Sequence, residues 1–541
     1  MDTRAVTQRI KAAKALLDTG MLAPTRPDRT IRTLGAIRNW GFTPAAAYRS
    51  SAIRYPDRTA LVDERGTLSF AQIDRRTNAL ARGLAQAGVT ESDGVAIMAR
   101  NHRGFIEATV AVSKLGAGAL YLNTAFAGPQ IADVLAREDP VAVIYDEEFE
   151  DLVAKGASGR KRWLSWSEPD GARARDDDAP PLQEPIDRCD DSPLQAPAER
   201  GRVVILTSGT TGTPKGAARR QPDSIEPAAA LFSKIPLRAR ETTMIAAPLF
   251  HSWGFAHFTL AMPLSSTLVL RRRFDPEDTL RAVAEHAAST LVVVPVMLQR
   301  ILELGEETIA RYDTGSLRII ALSGSALPGE LATRAMDVFG DVLYNLYGST
   351  EVAWATIATP EDLRAAPGTA GRPPLGTVVK LLDEGGREVA PGQTGRIFVG
   401  NEMVFEGYTG GGGKEVVDGL MSTGDVGRLD EAGRLFVEGR DDEMIVSGGE
   451  NVFPREVEDL LADHECVEEV AVVGVADDEF GQRLRAFVVR RAGCEISESE
   501  VQAHVRANLA RFKVPREVIF IERLPRNATG KVVKRELQDG G

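Results

Sequence analysis

The chain has 541 residues, 43% of them hydrophobic, and this length favours two or more domains over a single hydrophobic core. The formal net charge of −12 argues against a general nucleic-acid-binding protein, so we expect no nucleic-acid partner. No apolar run approaches the roughly 18 residues that a membrane-spanning helix needs, and the N-terminus lacks the apolar segment of a signal peptide. Three cysteines without metal-ligand spacing are typical of a reducing compartment, which predicts a cytoplasmic protein.

Residues 1–44 form a basic extension before the first predicted strand. Apolar residues recur at helical spacing between positions 6 and 17, with Arg9, Lys11 and Lys14 between them. A short basic amphipathic helix can lie on an anionic membrane surface. It can also pack on the protein's own surface, which is the more common arrangement. Peripheral membrane contact is therefore a hypothesis at this point, and so is a homodimer.

From residue 55 to 150, predicted strands alternate with predicted helices. This alternation predicts a largely parallel sheet covered by helices. The strands are at 59–62, 94–98 and 141–145, and the helices at 69–87, with Ser69 as N-cap, and 105–115. Residues 156–200 break the pattern with acidic, proline-containing sequence, and we interpret them as a surface loop without a chemical role.

A loop rich in glycine and hydroxyl residues follows the predicted strand at 202–206. Glycines let the backbone approach an anion closely, while hydroxyls and a lysine add donors and a positive charge, so this composition suits a polyphosphate. The spacing differs from the GxxxxGK[ST] pattern of a Walker loop. The candidate phosphate-binding residues are Thr207, Ser208, Gly209, Thr210, Thr211, Gly212 and Lys215.

Three later strands end in loops that carry polar residues. The predicted strands at 243–248, 317–322 and 343–346 lead into loops at 249–254, 323–328 and 347–351. The carboxyl ends of the strands in an open α/β sheet form one crevice, so we expect these loops to converge. His251, amid aromatic residues in the first loop, fits either a ligand pocket or a core histidine bonded to backbone.

The character of the sequence changes after residue 376. Short predicted strands at 378–382, 395–399 and 433–437, separated by Gly, Asp and Pro turns, indicate a small β subdomain that contains Ser422-Thr-Gly-Asp425. Residues 439–442 are charged, and we interpret them as a linker. Residues 443–541 are predicted to form a compact unit of helices and strands that ends in a polar turn carrying Lys531.

Together, these motifs closely resemble those of the adenylate-forming superfamily of acyl-CoA synthetases, luciferases and peptide-synthetase adenylation domains. The chain looks most like the fatty-acyl-CoA synthetase branch. The resemblance covers about residues 45–541, with motifs in the family's order at 207–216, 251–254, 323–328, 347–351, 422–425, 439–449 and 525–531. The acidic insert at 156–200 and the glycine run at 410–413 depart from the family pattern, and neither contains a motif residue.

The resemblance implies an α/β fold with a mobile C-terminal domain. A large N-terminal domain at 45–438 would contain two parallel-rich α/β subdomains and a small β subdomain. A hinge at 439–442 would join it to a small α+β domain at 443–541. Enzymes of this family activate a carboxylic acid with ATP, forming acyl-AMP and pyrophosphate, and then transfer the acyl group to CoA. The expected substrates are ATP, CoA and a medium- or long-chain fatty acid, with Mg²⁺ as the metal.

Three alternatives to a fatty-acid–CoA ligase stay open. An aromatic, branched or steroid-derived acid would use the same motifs, because the apolar residues near His251 do not fix the shape of the acid. An acyl-AMP ligase that feeds a carrier protein is less favoured, since we see no insertion of the kind such proteins carry between residues 425 and 439. A non-catalytic nucleotide-binding scaffold is least favoured, because Lys531, Glu351 and Asp425 are all present.

The resemblance also implies how each motif would hold the nucleotide. Residues 207–216 would surround the β- and γ-phosphates, Thr350 would bond the α-phosphate and Glu351 would hold Mg²⁺. Asp425 would accept both ribose hydroxyls, and Arg440 would contact the ribose or a phosphate. The adenine site would comprise Ser323, Gly324, Ser325, Gly348 and Tyr347, whose ring would stack on the base.

For the acid and CoA, the resemblance implies a second set of residues. Lys531 would be the catalytic lysine of adenylation, bridging the carboxylate and the α-phosphate where negative charge develops. Asp442 matches the pivot about which the small domain would rotate between the two steps. Gly448 and Gly449 would leave room for the pantetheine arm of CoA. His251 would lie beside the acyl carboxylate, and Phe250 and Trp253 would face the acyl pocket.

Overall fold

The computed structural model describes residues 3–154, 156–168, 179–207, 215–219, 224–409, 411–441, 445–447, 450–477, 481–509, 513–527 and 530–539. The chain forms two compact units. Unit 1 contains Met1–Leu322, Pro374–Gly376 and Glu402–Gly413, and unit 2 contains Ser323–Pro373, Thr377–Asn401 and Lys414–Gly541. The domain boundaries implied by the resemblance, at residues 438 and 443, remain predictions.

The helices, in chain order, are α1 (Thr3–Asp18), α2 (Pro27–Trp40), α3 (Pro44–Arg54), α4 (Phe70–Gln86), α5 (Arg103–Leu115), α6 (Gly128–Glu138), α7 (Glu150–Val153), α8 (Gln183–Arg188), α9 (Glu226–Phe232), α10 (Ser252–Ala261), α11 (Pro276–Glu285), α12 (Pro295–Leu302), α13 (Glu306–Ile309), α14 (Gly329–Phe339), α15 (Pro360–Ala365), α16 (Pro454–Ala462), α17 (Glu498–Asn508) and α18 (Lys534–Asp539). Across the residues described above, none of these helices is both long and apolar enough to cross a bilayer.

The strands are β1 (Thr59–Asp63), β2 (Gly66–Ser69), β3 (Gly94–Met98), β4 (Gly118–Tyr121), β5 (Ala142–Asp146), β6 (Lys161–Trp166), β7 (Val203–Thr207), β8 (Lys215–Arg219), β9 (Thr242–Ile245), β10 (Thr267–Leu270), β11 (Thr290–Val293), β12 (Ile319–Leu322), β13 (Leu343–Tyr347), β14 (Thr356–Ala358), β15 (Val378–Leu382), β16 (Gly395–Gly400), β17 (Gly407–Tyr408), β18 (Val416–Val417), β19 (Leu420–Leu429), β20 (Leu435–Arg440), β21 (Ile445–Ser447), β22 (Glu450–Val452), β23 (Val467–Asp477), β24 (Gly481–Arg490) and β25 (Glu517–Phe520).

Unit 1 is built on two largely parallel sheets. The first has the order β17-β8-β7-β4-β3-β5-β6. The five strands from β7 to β6 are parallel to one another, and β8 is antiparallel to both of its neighbours, β7 and β17. The second has the order β12-β11-β9-β10-β1-β2, with β2 antiparallel at its edge. Strands β3 and β5 are buried almost throughout, as expected for a parallel sheet covered on both faces. The predicted alternation of strands and helices is confirmed.

The start of α4 shows how the local sequence sets an element boundary. The Gln72 backbone N–H donates to the Ser69 hydroxyl at 3.2 Å, and the Ser69 N–H donates to the Gln72 side-chain oxygen at 2.7 Å. This reciprocal capping box satisfies two N–H groups that the first helical turn leaves unpaired. The predicted N-cap at Ser69 is confirmed.

His102, the N-cap of α5, is fully buried and has both ring nitrogens bonded. Its Nδ1 accepts from the Gly104 backbone N–H at 3.0 Å, so Nε2 carries the proton and donates to the Asp146 carboxylate at 2.8 Å. The Ser165 hydroxyl donates to the same carboxylate oxygen at 2.6 Å. The serine therefore bonds the aspartate and not the histidine, and the group ties α5 to β5 and β6 rather than forming a hydrolase triad.

The interpretation of residues 156–200 as a surface loop is wrong for part of this region. Strand β6 runs parallel to β5 at the edge of the first sheet, and Trp163 and Trp166 are buried. Helix α8 follows, with Ile186 buried. The strand was missed because it begins with Lys161-Arg162 and lies beside acidic, proline-containing sequence. Residues 169–178 lie outside the described residues.

Two of the three cysteines are bonded to each other. Cys466 and Cys494 form a disulfide, with their Cα atoms 5.2 Å apart, and Cys189 is free. The antiparallel β23–β24 pair explains this, because Cys466 immediately precedes β23 and Cys494 follows shortly after the end of β24. Sequence spacing gave no sign of the pairing, and the cysteine content no longer supports a reducing compartment.

Unit 2 contains two sheets and the antiparallel strand pair β13–β14. One sheet has the order β15-β16-β19-β18, and β20 also pairs with β19. All of its strand pairs are antiparallel, which confirms the predicted small β subdomain. The other sheet, β22-β21-β24-β23, has β25 parallel to β24. Buried side chains of α16 and α17 share its apolar core, which confirms the predicted compact C-terminal unit.

The first two residues of the segment predicted as a linker, 439–442, lie in a strand. Gly439 and Arg440 belong to β20, where they pair with Val426 and Asp425 of β19. The charge of this segment suggested a solvated linker, but the register with β19 keeps Arg440 in the sheet.

A buried lysine ties α5 to α4 in unit 1. The Lys114 ammonium donates to the Asp74 carboxylate at 2.8 Å, to the Thr77 hydroxyl at 2.9 Å and to the Asn78 side-chain oxygen at 2.6 Å. Arg49 pairs with the same carboxylate at 2.6 Å. Burial lowers the pKa of Lys114 to about 8, although the charge of Asp74 opposes this shift.

Replacing Lys114 with methionine should lower the free energy of unfolding by about 3 kcal/mol, measured by chemical denaturation. The loss arises because Asn78 loses its cation partner and the buried Asp74 carboxylate keeps only Arg49. The matched control is Lys380→Met, which removes a half-exposed pair with Glu388 and should cost less than about 1 kcal/mol. Similar losses in both variants would contradict a stabilising role for the Lys114 cluster.

Candidate active site

The ends of the phosphate-binding loop are fixed by two paired strands. Thr207, the last residue of β7, is directly opposite Lys215, the first residue of β8. Gly216 follows, and a Cβ at this position would lie 2.5 Å from the Thr409 hydroxyl oxygen. The Thr409 backbone N–H donates to the Gly216 carbonyl at 2.9 Å. Ser208, Gly209, Thr210, Thr211 and Gly212 lie outside the described residues, so their phosphate contacts remain predictions.

The segment that leads into His251 is held by a residue that the sequence analysis missed. The Asn101 side chain donates to the Ile245 and Ala247 carbonyls at 3.2 and 2.9 Å, and it accepts from the Leu249 N–H at 2.8 Å. Asn101 follows the buried strand β3, and this position was the one sequence feature that could have marked it as a site residue. His251 then serves as the N-cap of α10.

The aromatic residues predicted for the acyl pocket are buried around the first turn of α10. Phe250 and Trp253 are both buried, and the Trp253 indole donates to the Val293 carbonyl at 3.1 Å. The His257 ring lies edge-on to Trp253, with centroids 4.5 Å apart. The structure thus gathers Phe250, His251 and Trp253 in one cluster of unit 1.

Both histidines of this cluster are neutral at neutral pH. Desolvation lowers the pKa of His251 to about 4 and that of His257 to about 3. His257 is fully buried, and its Nε2 has no hydrogen-bond partner among the described residues. His257 was not among the candidate site residues, because a histidine inside an apolar helix gives no sequence signal of an unpaired nitrogen.

In unit 2, the structure brings Tyr347 together with Asp425, which is 78 positions later in the sequence, and with Arg440. The Tyr347 hydroxyl donates to one oxygen of the Asp425 carboxylate at 2.5 Å, and Arg440 donates to the other at 3.3 Å. Tyr347 ends β13, while Asp425 and Arg440 face each other on β19 and β20. Nearby backbone is fixed by Thr423, whose hydroxyl accepts from the Asp425 N–H at 3.0 Å.

The electrostatics of this group are dominated by desolvation. Burial raises the pKa of the Asp425 carboxyl, while the Tyr347 hydrogen bond and the positive charges of Arg440, Lys531 and Lys414 oppose the rise. Burial, followed by the charge of Asp425, raises the pKa of Tyr347 well above its usual value, so its hydroxyl remains a donor. A mostly buried carboxylate whose charge is offset by cations is suited to accept hydrogen bonds from a polar ligand.

The loops at 323–328 and 347–351 are shaped by close backbone approach. At Gly348 a Cβ would lie 2.3 Å from the Ala353 carbonyl oxygen, so a larger residue would displace the loop. Ser323 is buried, Gly324 has a φ of +97°, and Ser325 is half-buried. Thr350 is half-buried as well.

Glu351 is the predicted magnesium ligand, and its carboxylate is buried. No group of three or more His, Cys, Asp or Glu side chains in the described part of the chain is arranged to hold a metal ion. Mg²⁺ commonly binds through one or two carboxylates together with substrate phosphates. The single buried carboxylate of Glu351 therefore fits an ion that arrives with a polyphosphate.

Lys531 lies in a turn that is held by hydrogen bonds and an ion pair. Its backbone N–H donates to the Asn527 side-chain oxygen at 2.9 Å, and the Asn527 N–H donates to the Lys531 carbonyl at 2.9 Å. Arg526 anchors the turn through Glu469 at 2.7 Å. The Lys531 side chain is exposed, so it is available to a ligand. Asp442, Gly448 and Gly449 lie outside the described residues, and their hinge and tunnel roles remain predictions.

The parallel-rich sheets of unit 1, the small β subdomain and the compact C-terminal unit define an adenylate-forming enzyme fold. A model of the AMP-binding enzyme family matches residues 48–409, and a model of the AMP-binding enzyme C-terminal domain matches residues 456–531. The chain therefore belongs to the AMP-binding enzyme family.

Similar proteins extend over most of the chain. A feruloyl-CoA synthase from Amycolatopsis is 33% identical over 490 residues, covering 89% of this chain and 96% of the relative. A fatty acid–[acyl-carrier-protein] ligase from Streptomyces coeruleorubidus is 29% identical over 497 residues, covering 90% and 93%. The solved o-succinylbenzoate–CoA synthetase of Bacillus subtilis, with its acyl-adenylate intermediate, is 26% identical with a TM-score of 0.79, covering 91% and 98%.

Proposed function

We propose that this chain is an ATP-dependent acid–CoA ligase that works through an acyl-AMP intermediate. The observation that carries the proposal is the Asp425 carboxylate, held by Tyr347 and Arg440. A carboxylate with two acceptor oxygens suits the two adjacent hydroxyls of a ribose. Similarity to CoA ligases over nine-tenths of the chain supports the same function.

In the first half-reaction, the acid carboxylate attacks the α-phosphorus of ATP. The bond from the α-phosphorus to the bridging oxygen breaks, and pyrophosphate leaves with the electron pair. Two anions must meet, so the site has to offset charge and align the attack. Lys531 would bridge the carboxylate and the α-phosphate, and residues 207–216 would hold the leaving pyrophosphate. Mg²⁺, held by Glu351, would supply further charge neutralisation.

In the second half-reaction, the CoA thiol attacks the acyl carbonyl, loses its proton and displaces AMP. The resemblance assigns Asp442 as the hinge for a rotation of the small domain between the two steps. Gly448 and Gly449 would line the path of the pantetheine arm, where the absence of side chains leaves room.

We propose a medium- or long-chain fatty acid as the acid substrate. Helix α10 supports this choice, because its buried side chains include Trp253, Phe255, Phe258 and Leu260. An apolar chain gains binding free energy for each methylene that leaves water. Similarity to a fatty-acid ligase supports the same class.

An aromatic acid with a polar ring substituent is the second candidate. The unpaired Nε2 of buried His257 favours it, because a buried polar atom without a partner is costly and a substrate hydroxyl could bond it. Similarity to a feruloyl-CoA synthase supports this alternative. The two candidates make opposite predictions for one panel of acids.

With saturated acids from four to ten carbons, we expect kcat/KM for thioester formation to rise about fourfold per added CH₂. Cinnamate and 4-hydroxycinnamate complete the panel. The expected result is that decanoate exceeds both aromatic acids by at least tenfold. A tenfold preference for 4-hydroxycinnamate over decanoate would contradict the fatty-acid proposal and establish the second candidate.

The His257→Leu variant sharpens this comparison, because the ratio of two acids is measured on the same preparation. For a fatty-acid enzyme, removing the unpaired nitrogen should raise the ratio of decanoate to 4-hydroxycinnamate. For an aromatic-acid enzyme, the preference for 4-hydroxycinnamate over cinnamate should disappear. The matched control is His286→Leu, which replaces a partly buried histidine next to α11 and should change neither ratio.

A further inference from the structure

Exposed apolar side chains are concentrated at the N-terminus. Among the described residues, nine large hydrophobic side chains are exposed, and six of them lie between residues 10 and 42. Scattered single exposures are ordinary, so this concentration within one short segment calls for an explanation. We use the term N-terminal apolar surface for Ile10, Leu17, Leu22, Ile31 and Leu34, which are 65%, 62%, 60%, 70% and 62% exposed.

On α1, the exposed apolar residues share one helical face. Ile10 and Leu17 are seven positions apart, which places them within about 20° on a helix of 3.6 residues per turn. Ala15, on another face, is buried, and α1 packs against α9. The helix is therefore docked on unit 1 with Ala15 buried, and it leaves Ile10 and Leu17 in solvent.

Helix α2 repeats this arrangement. Ile31 and Leu34 are exposed, whereas Ala36 and Trp40 are buried and the helix packs against α3. The segment between the two helices is fastened by side chains of unit 1, because Arg240 donates to the Gly20 carbonyl at 3.2 Å and Arg54 donates to the Ala23 carbonyl at 3.0 Å. Both apolar faces are thus held outward by a fixed scaffold.

The positive charge of this segment indicates which kind of partner would cover the N-terminal apolar surface. Residues 3–42 contain eight Lys or Arg and two Asp, a formal net charge of +6, in a chain whose net charge is −12. Lys11, Lys14, Arg32 and Arg38 are exposed on the same two helices. Apolar side chains flanked by basic ones match a bilayer surface, where the apolar groups enter the headgroup boundary and the bases meet anionic lipid.

We propose that the N-terminal apolar surface docks the protein on an anionic membrane surface, with α1 and α2 lying in the plane of the interface. The proposal concerns binding at the surface and is independent of the identity of the acid. If the substrate is a fatty acid, such docking would place the enzyme where that substrate partitions.

The test is co-sedimentation of the full chain with vesicles. Vesicles containing 30% phosphatidylglycerol in phosphatidylcholine should bind the protein at least tenfold more tightly than pure phosphatidylcholine. Leu17→Ser combined with Leu34→Ser should reduce binding at least tenfold. Lys11→Gln with Lys14→Gln should reduce it by roughly 25-fold, because each basic side chain near an anionic surface contributes about fivefold. The matched control is Val378→Ser with Val416→Ser, two exposed apolar residues elsewhere, which should bind as the wild type does.

Two results would overturn the proposal. One is equal sedimentation of wild type and the Leu17→Ser, Leu34→Ser variant with anionic vesicles. The other is a wild-type dimer, seen by analytical ultracentrifugation, that dissociates in this variant, since the surface would then be covered by a second copy of the chain. Circular dichroism of each variant verifies that the exposed substitutions leave the fold intact.

Discussion

Replacing Lys531 with alanine should slow acyl-AMP formation by about 10²- to 10³-fold. The lysine lies in a turn held by Asn527, and its side chain is exposed, so the substitution removes a charge without opening a cavity. In the proposed reaction its ammonium stabilises charge that develops between the carboxylate and the α-phosphate. The measurement is single-turnover release of pyrophosphate from ATP in the presence of decanoate.

The same variant should form thioester from supplied acyl-AMP and CoA at a rate within a few-fold of the wild type. Lys534→Ala is the matched control, because this lysine is three positions away and pairs with Glu458 at 2.8 Å. It should change neither half-reaction by more than a few-fold. Equal losses in both half-reactions of Lys531→Ala would contradict the assignment of this lysine to adenylation.

Replacing Asp425 with alanine should raise the KM for ATP by about 10²- to 10⁴-fold. Hydrogen bonds to a charged group contribute about 1.5–3 kcal/mol each, and the proposed carboxylate accepts two from the ribose. The variant also leaves Tyr347 and Arg440 without the acceptor they share. The measurement is the ATP dependence of pyrophosphate release at saturating acid.

Tyr347→Phe is the comparison that isolates the carboxylate. It removes the hydroxyl that bonds Asp425 but keeps the ring proposed to stack on adenine. We expect its KM for ATP to stay within about tenfold of the wild type, since the hydroxyl supplies one hydrogen bond and the carboxylate remains. An Asp425→Ala variant with an unchanged KM for ATP would contradict the proposed ribose contact.

Elements made of short buried apolar runs were predictable from the sequence. Strands β3, β5, β12 and β15 agree with prediction within a residue or two, because each run is bounded by turn residues or by a change of composition. Strand β6 was not predictable in the same way. Its two tryptophans are buried, but its first residues, Lys161 and Arg162, are charged, and its neighbouring sequence is acidic, as in a surface loop.

Contacts between residues far apart in sequence could not be predicted from the sequence patterns. The motifs identified Tyr347 and Asp425 separately, but the hydrogen bond between them joins two strands whose spacing depends on the tertiary fold. Asn101 was missed for the same reason, since its partners at Ile245, Ala247 and Leu249 lie far along the chain. The Cys466–Cys494 disulfide likewise requires the β23–β24 register.

The identity of the acid depends on features that sequence motifs do not report. An apolar helix such as α10 is compatible with a fatty acid, while the unpaired nitrogen of His257 within it favours a polar substituent. Burial and hydrogen-bond pairing decide between these readings, and neither follows from helical periodicity. The family and its nucleotide motifs were therefore predictable, and the substrate was not.

The most direct test of the central claim follows the two half-reactions in one vessel. The full chain is incubated with decanoate, ATP and Mg²⁺ without CoA, and the mixture is analysed by mass spectrometry before and after CoA is added. We predict that enzyme-bound decanoyl-AMP and pyrophosphate form first, and that CoA then converts the adenylate to decanoyl-CoA and AMP in equal amounts. Across the full panel of acids, pyrophosphate release that never leads to a CoA thioester would contradict the ligase account.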